Sequence, residues 1–186
     1  MSASGYRVKA SVLRAYVRYL KREQQLEAVL PLVSMTTAEL LREPPLPSTW
    51  LDGFIFTDVQ GAVEKLQGLD GLMRMVELSM RDALPKFMGA LRHLVTMFGT
   101  SPATLYGLLG RLLTSTVEGC EYSYEPTGDR SGVVAVVYPA AKQVPARSFY
   151  TTVPALNIVL ELCSVRGQVG TPQLRGSNAA TFVVRW

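Results

Sequence analysis

In the first stretch of the chain, apolar residues recur every three to four positions. Val12, Leu13, Tyr16, Tyr19 and Leu20 share one side of the segment from about Val8 to Glu23, with Arg7, Arg14, Arg18 and Lys21 on the other. That period predicts an amphipathic helix. Gln24 to Leu30 continues it as far as Pro31, and Thr36-Thr-Ala-Glu39 reads as a capping box opening a short helix. Pro44-Pro-Leu-Pro47 then forbids regular structure. Ser48 or Thr49 is placed to cap a helix running through Trp50, Phe54, Ile55 and Val59 to Leu66, which Gly68 ends. Residues 69–98 form a long helical stretch that Pro85 kinks or splits. Ser101-Pro102 starts another helix through Leu105, Leu108, Leu109 and Leu112.

Near Gly119 the period changes. Cys120-Glu-Tyr-Ser-Tyr-Glu125 alternates, Thr127-Gly-Asp-Arg-Ser-Gly132 is turn chemistry, and Val133-Val-Ala-Val-Val-Tyr138 is a β-branched run, so a hairpin is expected. Pro139 and Pro145 bound a linker, and Phe149 to Val165 returns to helical spacing with Pro154 in its first turn. Gln168 to Arg175 and Ala179 to Trp186 then pair as a second hairpin around Gly176-Ser-Asn178. The expected fold class is α+β: a helical N-terminal two-thirds packed on a four-stranded antiparallel sheet in strand-strand-helix-strand-strand order. We expect a single domain over 1–186, mainly helical over 1–117 and a sheet with one crossing helix over 118–186.

Composition narrows the class. A 48% hydrophobic and 18% charged chain is globular. No uninterrupted apolar run follows the basic N-terminus, and no segment approaches the roughly 20 apolar residues of a membrane span. Two distant cysteines, Cys120 and Cys163, make no disulfide scaffold and suit a reducing cytoplasm. The first 22 residues carry Arg7, Lys9, Arg14, Arg18, Lys21 and Arg22 with no acid, so within a net charge of +4 the remainder sums to −2. One basic element, not a basic surface, sets the pI near 9.2, which argues against nucleic acid as the partner.

Candidate chemistry is sparse. His93 is the one histidine, and a zinc site wants about four ligands, so no metal site is expected. The carboxylates are scattered, no Gly-x-Ser-x-Gly elbow is present, and Gly107 and Gly110 sit within a helix instead of after a strand. No catalytic constellation follows, and no enzymatic activity is expected. Met73, Met80 and Phe87 are two helical turns apart and share one face; they either line an adaptable pocket for a small apolar ligand or simply pack the core. The stripe of Arg7, Arg14, Arg18 and Lys21 either meets an acidic partner, a membrane surface or nucleic acid, of which an acidic protein partner is expected, or is a solvated helix face.

Several segments in order carry a family resemblance: Val8-Lys-Ala-Ser-Val12, Leu46-Pro-Ser-Thr-Trp50, Phe98-Gly-Thr-Ser-Pro102, and Gly176 with Phe182-Val-Val-Arg-Trp186. The chain resembles the haem–nitric-oxide-binding and 4-vinyl-reductase-type superfamily, which also holds phenol-sensing regulator domains and small subunits of a Golgi tethering complex. More narrowly, it is similar to a paralogous family of myxobacterial proteins of this length. The resemblance implies ligands held between long helices and the sheet, and a homodimer formed through the helical region. Its metal-binding cysteines are missing: the matching positions hold Pro172 and Ala180, with Thr152 near a third, and Ser177 follows the turn glycine. Its haem-binding Tyr-x-Ser-x-Arg motif is also missing, replaced by Tyr122-Ser-Tyr124, and His93 lies one helix early. No cofactor is therefore expected. The expected function is a non-catalytic cytoplasmic binding module in signalling or regulation, holding a small apolar ligand or a protein partner. The alternatives are a ligand-free adaptor resembling the tethering subunits, and a haem or metal sensor using His93.

Overall fold

The computed structural model describes the backbone of residues 5–98, 101–139 and 144–186, with side chains for all of these except residues 83–98 and 112. Helix α1 spans Ala10–Arg22 and buries Leu13, Tyr16, Val17, Tyr19 and Leu20, the apolar side the spacing predicts. It begins after a short strand, β1 (Arg7–Lys9), that the periodicity does not reveal. This strand is the centre of a three-stranded antiparallel sheet with β2 (Trp50–Asp52) and β3 (Val117–Glu118). Val8 pairs with Leu51 on one side and Val117 on the other, so strands too short to alternate visibly join three distant parts of the chain. Arg7 accordingly sits on a strand and not on the amphipathic helix.

A short helix α2 (Leu26–Val29) runs into a 3-10 turn at Leu30–Leu32, and α3 covers Met35–Arg42. Its cap is Ser34, whose Oγ accepts from Thr37 N at 3.3 Å, and not the expected Thr36. Asp58 fixes that cap by accepting from Ser34 N at 2.9 Å and Ser34 Oγ at 2.8 Å. The proline run that follows is an internal loop with a defined task. Ala10 N donates to Thr49 O and Ser11 N to Pro47 O, so the loop satisfies N–H groups that the first turn of α1 leaves unpaired. Arg14 Nη1 donates to Pro44 O at 2.8 Å and to Pro45 O at 3.2 Å.

Helix α4 (Gly53–Phe98) starts after β2, in place of a Ser48 or Thr49 cap. It breaks where the sequence indicates, at Gly68, whose φ of 72° and ψ of −178° only glycine adopts readily. Helical backbone then continues across Pro85. Helix α5 (Pro102–Leu113) is capped by Ser101 and carries its proline in the first turn.

The C-terminal part comprises β4 (Glu121–Gly128), β5 (Ser131–Val137), α6 (Ala146–Tyr150), α7 (Thr152–Leu162), β6 (Gln168–Val169), β7 (Gln173–Leu174) and β8 (Ala179–Arg185). The sheet order is β4-β5-β8-β6, with β7 also on β8, all antiparallel. Five strands replace the expected four because the edge strand over 168–175 is cut in two. Pro172 has no N–H to donate, and the register shifts across it, from Val169↔Val184 to Gln173↔Thr181. On the inner face Val134 pairs with Phe182 and Val136 with Ala180, while Tyr124 and Tyr122 stand opposite the two valines. These residues belong to one core cluster that runs from Tyr6 to Val184 and joins the helices to the sheet.

Arg14→Ala is expected to lower stability by about 1–3 kcal/mol, because it removes a charged donor shared by two loop carbonyls. Arg18→Ala, on the exposed side of the same helix, should stay within about 0.5 kcal/mol of the parent. Denaturant midpoints of the two variants make the check; equal midpoints would show that the loop is not held by Arg14.

Candidate functional site

The region the resemblance points to is the space between helices and sheet. Helical spacing turns Leu105, Tyr106 and Leu109 of α5 inward, and all three are buried. Gly110 lets the helix come down onto β4: a Cβ there would stand 3.1 Å from the Tyr122 carbonyl oxygen. Tyr106 fills what remains. Its ring stacks on Tyr124 at 5.7 Å between centroids and meets Trp186 at 6.1 Å, and its hydroxyl donates to Leu156 O of α7 at 3.1 Å. The Tyr124 ring in turn lies over Gly132, where any side chain would collide with it. One tyrosine thus joins α5, α7, the sheet and the last residue of the chain.

A second aromatic group closes the other end. Tyr6 meets Tyr138 edge-on at 4.9 Å, Tyr138 meets Phe149 at 5.5 Å, and Tyr16 meets Phe56 at 6.2 Å. Tyr6 donates its hydroxyl proton to Gly53 O at 3.1 Å. Gln60 Nε2 donates to the Tyr16 hydroxyl at 3.5 Å, and Ser148 Oγ donates to Gln60 Oε1 at 3.4 Å. Burial pushes the phenols of Tyr6, Tyr16, Tyr122 and Tyr138 above their ordinary range, and it pushes the Cys120 thiol up to about 12. Their mutual proximity adds to the effect at Tyr6, Tyr122 and Tyr138. These groups stay neutral near pH 7 and act as packing with polar tips.

The residues present here do not suit a haem. Propionates need cationic donors, yet the inward residues of the three long strands are Tyr122, Tyr124, Val134, Val136, Ala180, Phe182 and Val184. None of these described residues is a cation, and at Gly110 α5 lies against the β4 backbone.

The proposed pocket and partner residues separate on the structure. Met73 and Met80 lie half-buried at the flank of the core, while Leu72, Met75, Val76 and Ser79 are the residues of that helix segment pointing fully inward. Phe87 and His93 lie outside the residues whose side chains are described. Arg7 donates through Nε and Nη2 to Glu118 at 3.0 and 2.5 Å, and Arg14 is committed to the proline loop. The side chains of Arg18 and Lys21 are exposed and have no polar partner among the described residues. Cys120 and Cys163 are buried free thiols, and no cluster of three metal-ligating side chains occurs among the described residues.

A groove that no local pattern signals opens between the turn before α3, α4 and α6, with a volume of about 430 Å³. Leu32, Phe54 and Ala62 supply apolar lining; Asp58, Lys65 and Arg147 supply charge. Arg147 Nε donates to Glu64 at 2.6 Å, while its Nη1 lies against Gly61 so closely that a Cβ there would be 3.1 Å away. The pairing spans 83 positions, so no local pattern signals it.

The fold is that of the H-NOX, or haem–nitric-oxide-binding, domains. A mutant Fe(II) unliganded H-NOX protein from K. algicida superposes with a TM-score of 0.70 at 7% identity, covering 95% of each chain. An oxygen-binding H-NOX domain related to soluble guanylate cyclases, in its oxygen complex, gives 0.64 at 8% identity over 95% of this chain and 94% of that one. A structure used to probe haem distortion in the H-NOX family gives 0.65 at 8%, over 96% and 94%. No protein-family model matches the chain, and no curated protein does. Among the described residues no helix is long and apolar enough to cross a membrane.

Alkaline titration tests the packing of the aromatic groups. A phenol or thiol whose folded pKa is raised stabilises the fold fully below its unfolded pKa, and that contribution is lost as pH climbs toward the folded value. With unfolded values of about 8.5 for cysteine and 10 for tyrosine, stability should fall steeply above about pH 9–10. Most tyrosinate absorbance at alkaline pH should appear in one step with unfolding. Gradual titration in a still-folded protein would show that the rings are open to water.

Proposed function

We propose that this chain is a non-catalytic, cytoplasmic binding module of the H-NOX fold that works in signalling or regulation without haem, by docking a protein partner on its surface. The observation that carries this reading is the filled helix–sheet space: Tyr106, Tyr124 and Trp186 occupy it, and α5 rests directly on β4 through Gly110. The buried free thiols fit a reducing compartment. The shifted groups are phenols and thiols that burial holds in their protonated, neutral forms, which leaves them unsuited to proton transfer near pH 7. Arg18 and Lys21 are the cations of the basic stripe offered to an acidic partner, since Arg7 and Arg14 have internal duties. The groove beside Arg147 adds an apolar floor with a guanidinium at its edge. The narrower kinship with the myxobacterial paralogous family belongs to the same proposal.

A second reading, a small apolar ligand held by the long helix, is favoured by one observation. The Ser79 hydroxyl is buried and has no hydrogen-bond partner among the described residues, and Met80 and Met75 lie beside it on the same helix. Native mass spectrometry of the purified protein separates the two. The expected result is a mass equal to the denatured polypeptide or a multiple of it. Added mass that is lost on denaturation would overturn the filled-interior reading and make the ligand primary.

A further inference from the structure

A one-sided antiparallel sheet normally alternates, apolar toward the core and polar toward water. Strand β4 obeys: Tyr122 and Tyr124 face inward, Glu121, Ser123 and Glu125 outward. The two central strands do not. On β5 the outward residues Val133, Ala135 and Val137 are as apolar as the inward ones, and on β8 Val183 and Ala179 flank Thr181. Such continuous apolar runs belong to strands covered on both faces. The helices that pack on the sheet, α5 and α7, lie on the inner side with the core, and no described element covers the outer one.

The edges of this outer face identify what covers it. Register carries one row across the sheet from Glu121 to Val137 to Ala179, and Arg175 continues it by donating its backbone N–H to Ala179 O at 2.7 Å. The row therefore reads acid, apolar, apolar, base. Glu121 and Arg175 are both exposed, and neither has an ion-pair partner among the described residues. The next row reads Ser123, Ala135, Thr181 and Gln173, again polar at both edges with smaller residues between. The outward face also carries Thr181 and, at the end of β8, Arg185, but the row from Glu121 to Arg175, with acid on one edge, base on the other and apolar residues between, is complementary to itself.

We propose that two copies of this chain pair through this face, sheet on sheet, about a two-fold axis that runs along the strands between β5 and β8. That operation sets β5 of one copy over β8 of the other and makes the contact isologous. Val133 meets the second copy's Val183, Ala135 its Thr181 and Val137 its Ala179, and each Glu121 meets the second copy's Arg175. The sheets stack about 10 Å apart, the spacing at which facing side chains interdigitate. This interface is distinct from the helical surface that the family resemblance implies, and it is independent of which ligand or partner the module binds.

Sedimentation equilibrium on the full chain tests the pairing. Wild type is expected to be dimeric at micromolar concentration. Val183→Asp, on the outer row, should be monomeric with an unchanged circular dichroism spectrum. Glu121→Arg alone and Arg175→Glu alone should each weaken the dimer roughly tenfold, because two rim ion pairs become repulsions. The double variant Glu121→Arg/Arg175→Glu restores opposite charge across the interface and should recover wild-type affinity to within about threefold. A monomeric wild type would overturn the proposal. So would a dimer indifferent to Val183→Asp, or a double variant no tighter than the singles.

Discussion

The contact between α5 and β4 is the constraint on which the rest of the structure depends. Gly110 removes the side chain that would hold the helix away from the Tyr122 carbonyl, and Tyr106 then reaches from that helix to Leu156 on α7. Because its ring also stacks on Tyr124, the tyrosine couples helix, helix and sheet through a single side chain. Aromatic rings contribute large buried area and directional ring contacts at once, so Tyr106 stands at the centre of the packing between α5, α7 and the sheet.

Burial holds the phenol of Tyr6 and the thiol of Cys120 in their neutral forms, and both cysteines are buried. Three surface features remain: the Arg18–Lys21 edge of α1, the groove beside Arg147, and the apolar outer side of the sheet. They lie on different elements, so self-pairing through the sheet leaves the helical features available to a partner.

What was legible in the sequence divides by the range of the interactions. The β4–β5 hairpin, the C-terminal strand and the break at Gly68 are local, written in alternation, turn residues and a glycine. The three-stranded sheet around Val8 was not legible, since three-residue strands carry no period and Val8 finds its partners at Leu51 and Val117. Arg14 was read as part of a binding stripe because its acceptors are backbone carbonyls about thirty positions away, which have no side-chain signature. Tyr106 lay in a helix whose inward face was read from leucines, and its position beside Leu105 and Leu109 was the available signal. The methionine stripe illustrates the limit of periodicity. Met73 and Met80 do share a face, but Met75 and Val76, further round the helix, face the core squarely.

The most direct test of the side-chain-centred interior is a haemin titration of the reduced and oxidised protein, followed by visible absorption. The expected result is a spectrum that sums free haemin and protein, with no saturable one-to-one Soret band. A saturable, stoichiometric Soret band that survives gel filtration would mean that α5 lifts from β4 and that Tyr106 yields its place, and it would contradict the filled interior.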